Sequence, residues 1–386
     1  MRVKISDVLW FQEGPGVRNT QYTESGVKLL NVANLVDGNV DISNTSRYIS
    51  EEEAYGKYKH FLVDEGDFII ASSGIKVEYF DKKMGFVSTD QLPLCMNTST
   101  IRFKVLDSSE LNIRYFMYYL KSDEFKEQLA RQITGSAQLN FGPSHLKKMT
   151  MPIVGLAEQD DLVSKLDFVD SLITARREQL AKLDELVKSR FIELFGSVED
   201  NVFGLKTIKI KDACDLINGK AFKPEDWSDA GLPIVRIQNL NNEQAPFNYF
   251  DGEIKEQYLI DTGELLFSWS GTPGTSFGAF FWNRGKAVLN QHIFRVRLKV
   301  EFNLLFLQFA LNGRIDYIIS KAHGGVGLQH ITKKELDEVE LLLPSVDIQN
   351  QFADFVEQTD KSKFEIQQSL EKLETLKKTL MQKYFG

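Results

Sequence analysis

Residues 162–194 read LVSKLDFVDSLITARREQLAKLDELVKSRFIEL, and within them Leu166, Ile173, Leu180, Val187 and Leu194 fall seven apart. Leu162, Val169 and Leu183 form a second row, which Arg176 and Arg190 interrupt. No Pro or Gly breaks the stretch, so the heptad pattern predicts one long helix with a single apolar seam. A helix of roughly 38 residues at 1.5 Å per residue spans about 57 Å. The same pattern recurs near the other end of the chain. Phe352, Thr359, Ile366, Leu373 and Leu380 are again seven apart, with Phe355 and Leu376 in the neighbouring row. Each stretch is preceded by a Pro that runs into a Gln (Pro152 to Gln159, Pro344 to Gln351) and closes on Phe-Gly, at Phe195-Gly196 and Phe385-Gly386. A period of about 190 residues is far longer than a solenoid unit. It predicts two whole domains in tandem, each followed by its own helix.

Between the helices lie two blocks of short apolar runs and turn residues. Ile101-Arg102-Phe103-Lys104-Val105 and Phe294-Arg295-Val296-Arg297-Leu298 alternate as half-buried strands, and each leads into a helical stretch, Ile113 to Ile133 and Leu304 to Ile319. Four local matches tie the blocks together. Leu30-Asn31-Val32-Ala33-Asn34-Leu35 answers Val235-Arg236-Ile237-Gln238-Asn239-Leu240, and Glu65-Gly66-Asp67 answers Thr262-Gly263-Glu264. Asn97-Thr98-Ser99-Thr100-Ile101-Arg102 answers Asn290-Gln291-His292-Ile293-Phe294-Arg295, and the small-residue segments 135–138 and 324–327 precede the two prolines. The expected fold is therefore mixed α/β, with domains at 1–152 and 197–344 and helices at 153–196 and 345–386. Each helix offers one apolar seam, and a whole domain connects them, which favours an intramolecular antiparallel coiled coil with the domains at opposite ends. The alternative is that each helix docks on its own domain.

Composition sets limits. The chain of 386 residues is 42% hydrophobic and 26% charged, ordinary for a globular protein large enough for two cores. No apolar run approaches a membrane span, and MRVKISDVLW lacks a signal-peptide core, so a cytoplasmic location is expected. Two distant cysteines, Cys95 and Cys214, imply neither a disulfide framework nor a metal site. The net charge of -8 divides into -1, -3, -3 and -1 over residues 1–150, 151–195, 196–344 and 345–386. Nucleic-acid binding needs only a local basic patch, though a basic partner would strengthen it.

Catalytic constellations are missing. There is no Asn/Asp-Pro-Pro-aromatic motif and no glycine fingerprint for S-adenosylmethionine. The glycine-rich segment 271–278 lacks the Lys of a phosphate loop and reads as turns. Asp251-Gly252-Glu253-Ile254-Lys255 superficially offers a nuclease carboxylate and Lys, but reads as a solvated strand end. The five histidines show no ligand spacing.

Two variable α/β blocks, each followed by a long helix ending in Phe191-Ile192-Glu193-Leu194-Phe195-Gly196 or Lys383-Tyr384-Phe385-Gly386, with Gly66-Asp67 and Gly263-Glu264 opening matched strands, resemble the specificity subunit of type I restriction-modification enzymes. The resemblance covers essentially the whole chain. It implies two target recognition domains that read a split, asymmetric site in double-stranded DNA. It implies helices that fix their separation and dock methyltransferase subunits, two per chain, with restriction-translocase subunits as an optional addition. It implies no catalysis and no cofactor in this chain, S-adenosylmethionine being bound by the partners. Alternatives are a related system whose partner fuses methyltransferase and nuclease, or a non-catalytic coiled-coil scaffold.

Base reading needs Arg or Lys for guanine and Asn or Gln for adenine, and phosphates take hydroxyls, cations and amides. The matched segments nominate Asn31 and Asn34 against Arg236, Gln238 and Asn239. They nominate Ser72, Ser73 and Lys76 against Trp269, Ser270 and Thr272, and Asn97, Thr98 and Ser99 against Asn290, Gln291 and His292. Arg102 and Arg295 are candidates for phosphate, or else charges on a solvated strand face.

Overall fold

The computed structural model describes residues 1–132, 139–271, 277–325 and 328–386. They form two units, Met1–Arg177 with Gln368–Gly386, and Glu178–Gln367.

In the first unit the alternating run becomes the strand Thr100–Val105, the second of four antiparallel strands in the order Leu9–Glu13, Thr100–Val105, Phe68–Ala71, Met84–Phe86. Phe103 pairs with Phe68 across the ladder, and both rings meet Phe116 of the helix Ile113–Leu120, at 5.0 and 6.3 Å. A smaller sheet sets Val27–Leu30 between Leu94–Met96, which runs parallel to it, and Tyr48–Ile49.

The second unit repeats the plan. Its main sheet runs Cys214–Asn218, Ile293–Leu298, Glu264–Ser268, Gly278–Trp282, all antiparallel. Its second sheet pairs Leu232–Val235 in parallel with Ala287–Leu289, flanked by Asn248–Phe250 and Leu259–Ile260. Parallel pairing needs a long crossover, so each small sheet ties distant parts of its own unit together.

The two predicted helical stretches are each broken in two. Ile113–Leu120 stops before Asp123–Gln132 because Ser122 caps the second helix, its hydroxyl accepting from the Phe125 amide at 3.2 Å. Leu304–Asn312 stops at Gly313, and Ile315–Lys321 follows.

Both long helices form as predicted, Leu156–Phe195 and Val346–Phe385. The first ends in a left-handed cap: Gly196 has φ +67° and its amide returns to the Ile192 carbonyl at 2.8 Å. Their segments are antiparallel. In the first unit Asp170 pairs with Lys377 at 2.6 Å and Arg177 with Glu374 at 2.7 Å. In the second unit Asp184 pairs with Lys363 at 2.7 Å, and the Phe191 ring lies 5.4 Å from Phe352. Leu162, Leu166, Val169, Ile173, Val187 and Phe352 are buried, and Leu180, Leu194, Ile366, Leu373 and Leu380 half-buried. Burying each Leu or Ile contributes about 1.5–3 kcal/mol. Leu376 is a correction, for it is 47% exposed. The seam of the second helix advances by four and then three, through Phe352, Val356, Thr359, Ile366, Leu370 and Leu373, so its second row falls on Leu370 and Lys377 rather than 376.

The lead-in to the second helix is likewise shifted by two. Gln159, fully buried, accepts from the Asn112 amide at 2.9 Å and donates to the carbonyls of Val154 and Glu110, both at 2.8 Å. Its counterpart is Gln349, which accepts from the Asn303 amide at 2.9 Å and donates to the Pro344 carbonyl at 3.0 Å. Gln351 is exposed. The equivalent of Pro344 is therefore Val154, not Pro152, and Ile348 stands where Glu158 precedes the first glutamine.

Candidate nucleic-acid interface

The matched turns are built by side chains that bond inward. Asn34 is 2% exposed. Its carbonyl oxygen takes the Asn31 amide at 2.9 Å, and its amide donates to the Asp41 carbonyl and to Asn44. Asn239, fully buried, does the same work in the second unit, accepting from the Arg236 amide and donating to the carbonyls of Ala245 and Pro246. Asn97 is 1% exposed and accepts from the amides of Val17 and Thr98 while donating to the Asn31 side chain at 2.9 Å. A buried amide with all its bonds made holds a loop in one shape.

The strand arginines also point inward. Arg102 pairs with Asp67 at 3.0 Å, both side chains about 5% exposed, and donates to the carbonyls of Leu62 and His60 and to Gln12. Arg295 forms a forked pair with Glu264, Nη2 at 2.6 Å and Nε at 2.5 Å, with side chains 20% and 24% exposed. The acid that opens each strand, Asp67 or Glu264, is there to receive this guanidinium. Neither arginine is the solvated strand-face charge that alternation suggested, because its neighbour strand supplies a carboxylate.

Other candidates stand nearer the surface. Lys76, Thr98, Gln238 and Gln291 are exposed, and Ser73, Ser99, Arg236, Asn290, Trp269 and His292 are half-buried. Ser73 and Ser99 share a hydrogen bond of 2.6 Å, with Ser99 held at φ +67°. Ser72 and Ser270 are buried, and the Ser72 hydroxyl has no partner among the described residues. The Trp269 ring stacks on Phe294 at 5.6 Å and lies 5.5 Å from His292, while its Nε1 and the His292 Nδ1 are both shielded without a hydrogen bond. Burial holds the His292 pKa below its usual value, so the ring is neutral near pH 7. Thr272, segment 135–138, residues 272–276 of the glycine-rich loop and residues 326–327 lie outside the described residues.

Sequence reasoning passed over three residues that the structure brings forward, Tyr22, Arg47 and Trp227. The Arg47 guanidinium lies 5.7 Å from the Tyr22 ring centre, and that of Arg236 lies 5.7 Å from the Trp227 ring. A signal was present: Tyr22-Thr23-Glu24-Ser25-Gly26-Val27 matches Trp227-Ser228-Asp229-Ala230-Gly231-Leu232 position by position.

Among the described residues no group of three or more His, Cys, Asp or Glu could hold a metal ion, and no helix is long and apolar enough to cross a membrane. Both cysteines are free and buried.

Two comparisons by sequence and one by structure bear on this plan. Residues 2–185 and 204–378 each match the family described as Type I restriction modification DNA specificity domain. The type I restriction enzyme MjaVIII specificity subunit of Methanocaldococcus jannaschii is 24% identical over 190 residues, a match that spans 48% of this chain and 43% of that relative. The putative type I restriction enzyme MjaX specificity subunit of the same organism is 21% identical over 91% of this chain and 86% of its own length. Among solved structures, the type I restriction-modification S subunit of M. genitalium covers 100% of this chain and 96% of its own with a TM-score of 0.57 at 16% identity. A chain from a study of complex assembly and conformational transition of the type I restriction-modification system covers 100% and 97%, with a TM-score of 0.60 at 16% identity. Carrying that domain twice over most of its length, on two α/β units joined to antiparallel helices, the chain belongs to the type I restriction-modification DNA specificity family.

Proposed function

We propose that this chain is the non-catalytic DNA-recognition component of a type I restriction-modification enzyme, and that it reads a bipartite, asymmetric site with one half assigned to each unit. The observation that carries this reading is a division between side chains that hold the loops and those that stand beside them. Residues that hold the loops match across the units: Asn34 with Asn239, Gln159 with Gln349, Arg102 and Asp67 with Arg295 and Glu264. Exposed or half-buried residues beside them differ: Thr98 with Gln291, Ser99 with His292, Asn31 with Arg236. One scaffold with two sets of hydrogen-bonding groups suits two different half-sites. In this reading residues 1–152 and 197–344 are the target recognition domains, and the methyltransferase partners bind S-adenosylmethionine. Phe168 on the first helix and Phe364 on the second are each 64% exposed. Single exposed apolar residues are ordinary on a protein surface, and it is their place on the two long helices that nominates them as partner contacts.

The test is methylation of plasmid DNA by the chain assembled with its methyltransferase subunits, followed by mapping of modified adenines. Two short motifs separated by a fixed unread spacer are expected. A single undivided palindrome sinks the reading.

A further inference from the structure

The two aromatic–arginine pairs stand on one shared piece of scaffold. Tyr22 and Trp227 each follow a short helical turn, Asn19–Gln21 and Pro224–Asp226. The next residue bridges to the partner strand in both units, Thr23 to Tyr48 and Ser228 to Tyr249. Its hydroxyl donates to the carbonyl two residues on, Ser25 at 2.8 Å and Ala230 at 2.6 Å. Gly26 and Gly231 then turn the chain at φ +131° and +113°, where a Cβ would come within 2.2 Å of the Ile49 carbonyl oxygen and 2.3 Å of that of Phe250. Only glycine fits such a turn, so the aromatic ring is held at the same place in both units.

The arginine that reaches the ring comes from different places. In the first unit it is Arg47, just before the strand Tyr48–Ile49, where the second unit has Asn248. In the second unit it is Arg236, just after the strand Leu232–Val235. The first unit has Asn31 there, bonded to the Leu29 carbonyl and to Asn97. Two routes thus deliver a guanidinium to one aromatic platform. Among the described residues neither guanidinium has a carboxylate within ion-pair distance, unlike Arg102 and Arg295. Arg47 is exposed, and Arg236 is half-buried with its Nε shielded and unbonded.

We propose that Arg47 and Arg236 are the guanine-reading residues of the two units, each steadied by its aromatic platform and presenting a guanidinium fork to the O6 and N7 edge of a guanine in its half-site. An aromatic face attracts the cation and restricts its tilt, which suits a planar two-pronged contact better than a point charge would. The inference rests on the bipartite reading above.

The test expresses the chain with its methyltransferase subunits in a host free of other adenine methylation and maps modified sites genome-wide. Arg236→Ala and Arg236→Lys should each relax one G·C position in one half-motif, weakening discrimination roughly 10- to 100-fold, and leave the other half unchanged. Arg47→Ala and Arg47→Lys should do the same in the opposite half. Trp227→Ala and Tyr22→Ala should relax the same positions less. Rescue by Lys, with methylation lowered evenly over the motif in the Ala variants, would mark a phosphate contact and overturn the proposal. So would unchanged motifs in folded variants, or a half-site without a G·C pair. If the unaltered chain yields one undivided motif, the bipartite reading falls instead.

Discussion

Replacing Asp67 by Asn tests whether the buried ion pair holds the first unit together. Asp67 and Arg102 are separated by 3.0 Å with side chains 4% and 5% exposed, so water screens little of their attraction. Asp67 also accepts from the Asp64 amide at 2.8 Å and faces Lys104 at 3.3 Å. In D67N the Arg102 charge stays buried among carbonyl oxygens, while Lys104 keeps its pair with Asp64 at 2.5 Å. Removing one partner of such a pair typically costs about 3–5 kcal/mol. For a unit near 190 residues that lowers the melting temperature by roughly 6–20 °C. In the second unit the Arg295–Glu264 pair is several-fold more exposed, and E264Q should cost about 1 kcal/mol. Urea unfolding followed by circular dichroism measures both. D67N combined with R102M should recover much of the loss, because an apolar side chain leaves no stranded charge. A D67N loss under about 1 kcal/mol, or an equal loss in E264Q, refutes the argument that burial sets the strength of these pairs.

Gln159→Ala and Gln349→Ala each strip a buried glutamine that bridges a helix start to its lead-in, and each should lose about 2–3 kcal/mol in urea titrations. Burial pushes the thiols of Cys95 and Cys214 up to about 12, so a disulfide reagent at pH 8 should label neither in the folded chain and both in guanidinium. Hydrogen bonds from Lys209 and Lys211 hold Glu338 down to about 2, so its stabilising contribution is complete above about 4.5 and is lost as pH falls towards 2. Glu338→Gln should remove that slope from an acid titration, most visibly at low salt. Phe168→Asp and Phe364→Asp should leave melting within about 1 °C, since both rings are already in water, yet weaken co-purification of methyltransferase subunits.

The helices were legible because a seven-residue repeat over this length has one physical reading, a long amphipathic helix. The alternating strands Thr100–Val105 and Ile293–Leu298 were legible for a similar reason. The matched scaffold was partly legible. Gln351 was paired with Gln159 because Pro344 and Pro152 look alike, whereas the hydrogen bond to the helix-capping Asn selects Gln349. The candidate DNA residues were harder. Asn34, Asn97 and Arg102 have the chemistry that reads bases, but chemistry alone does not say which way a side chain faces. Arg47 and Tyr22 were passed over because they are 25 residues apart in the chain and meet only across the small sheet.

From its sequence alone this protein is two similar α/β domains and two heptad helices that pair antiparallel, because periodicity and repetition are local properties that survive without coordinates. Only the tertiary structure decided which polar residues are consumed inside, as Arg102 by Asp67, and which remain at the surface, as Arg47 and Arg236. The reason is that availability for a ligand depends on what lies opposite each side chain, and those partners come from strands and turns 9 to 90 residues away.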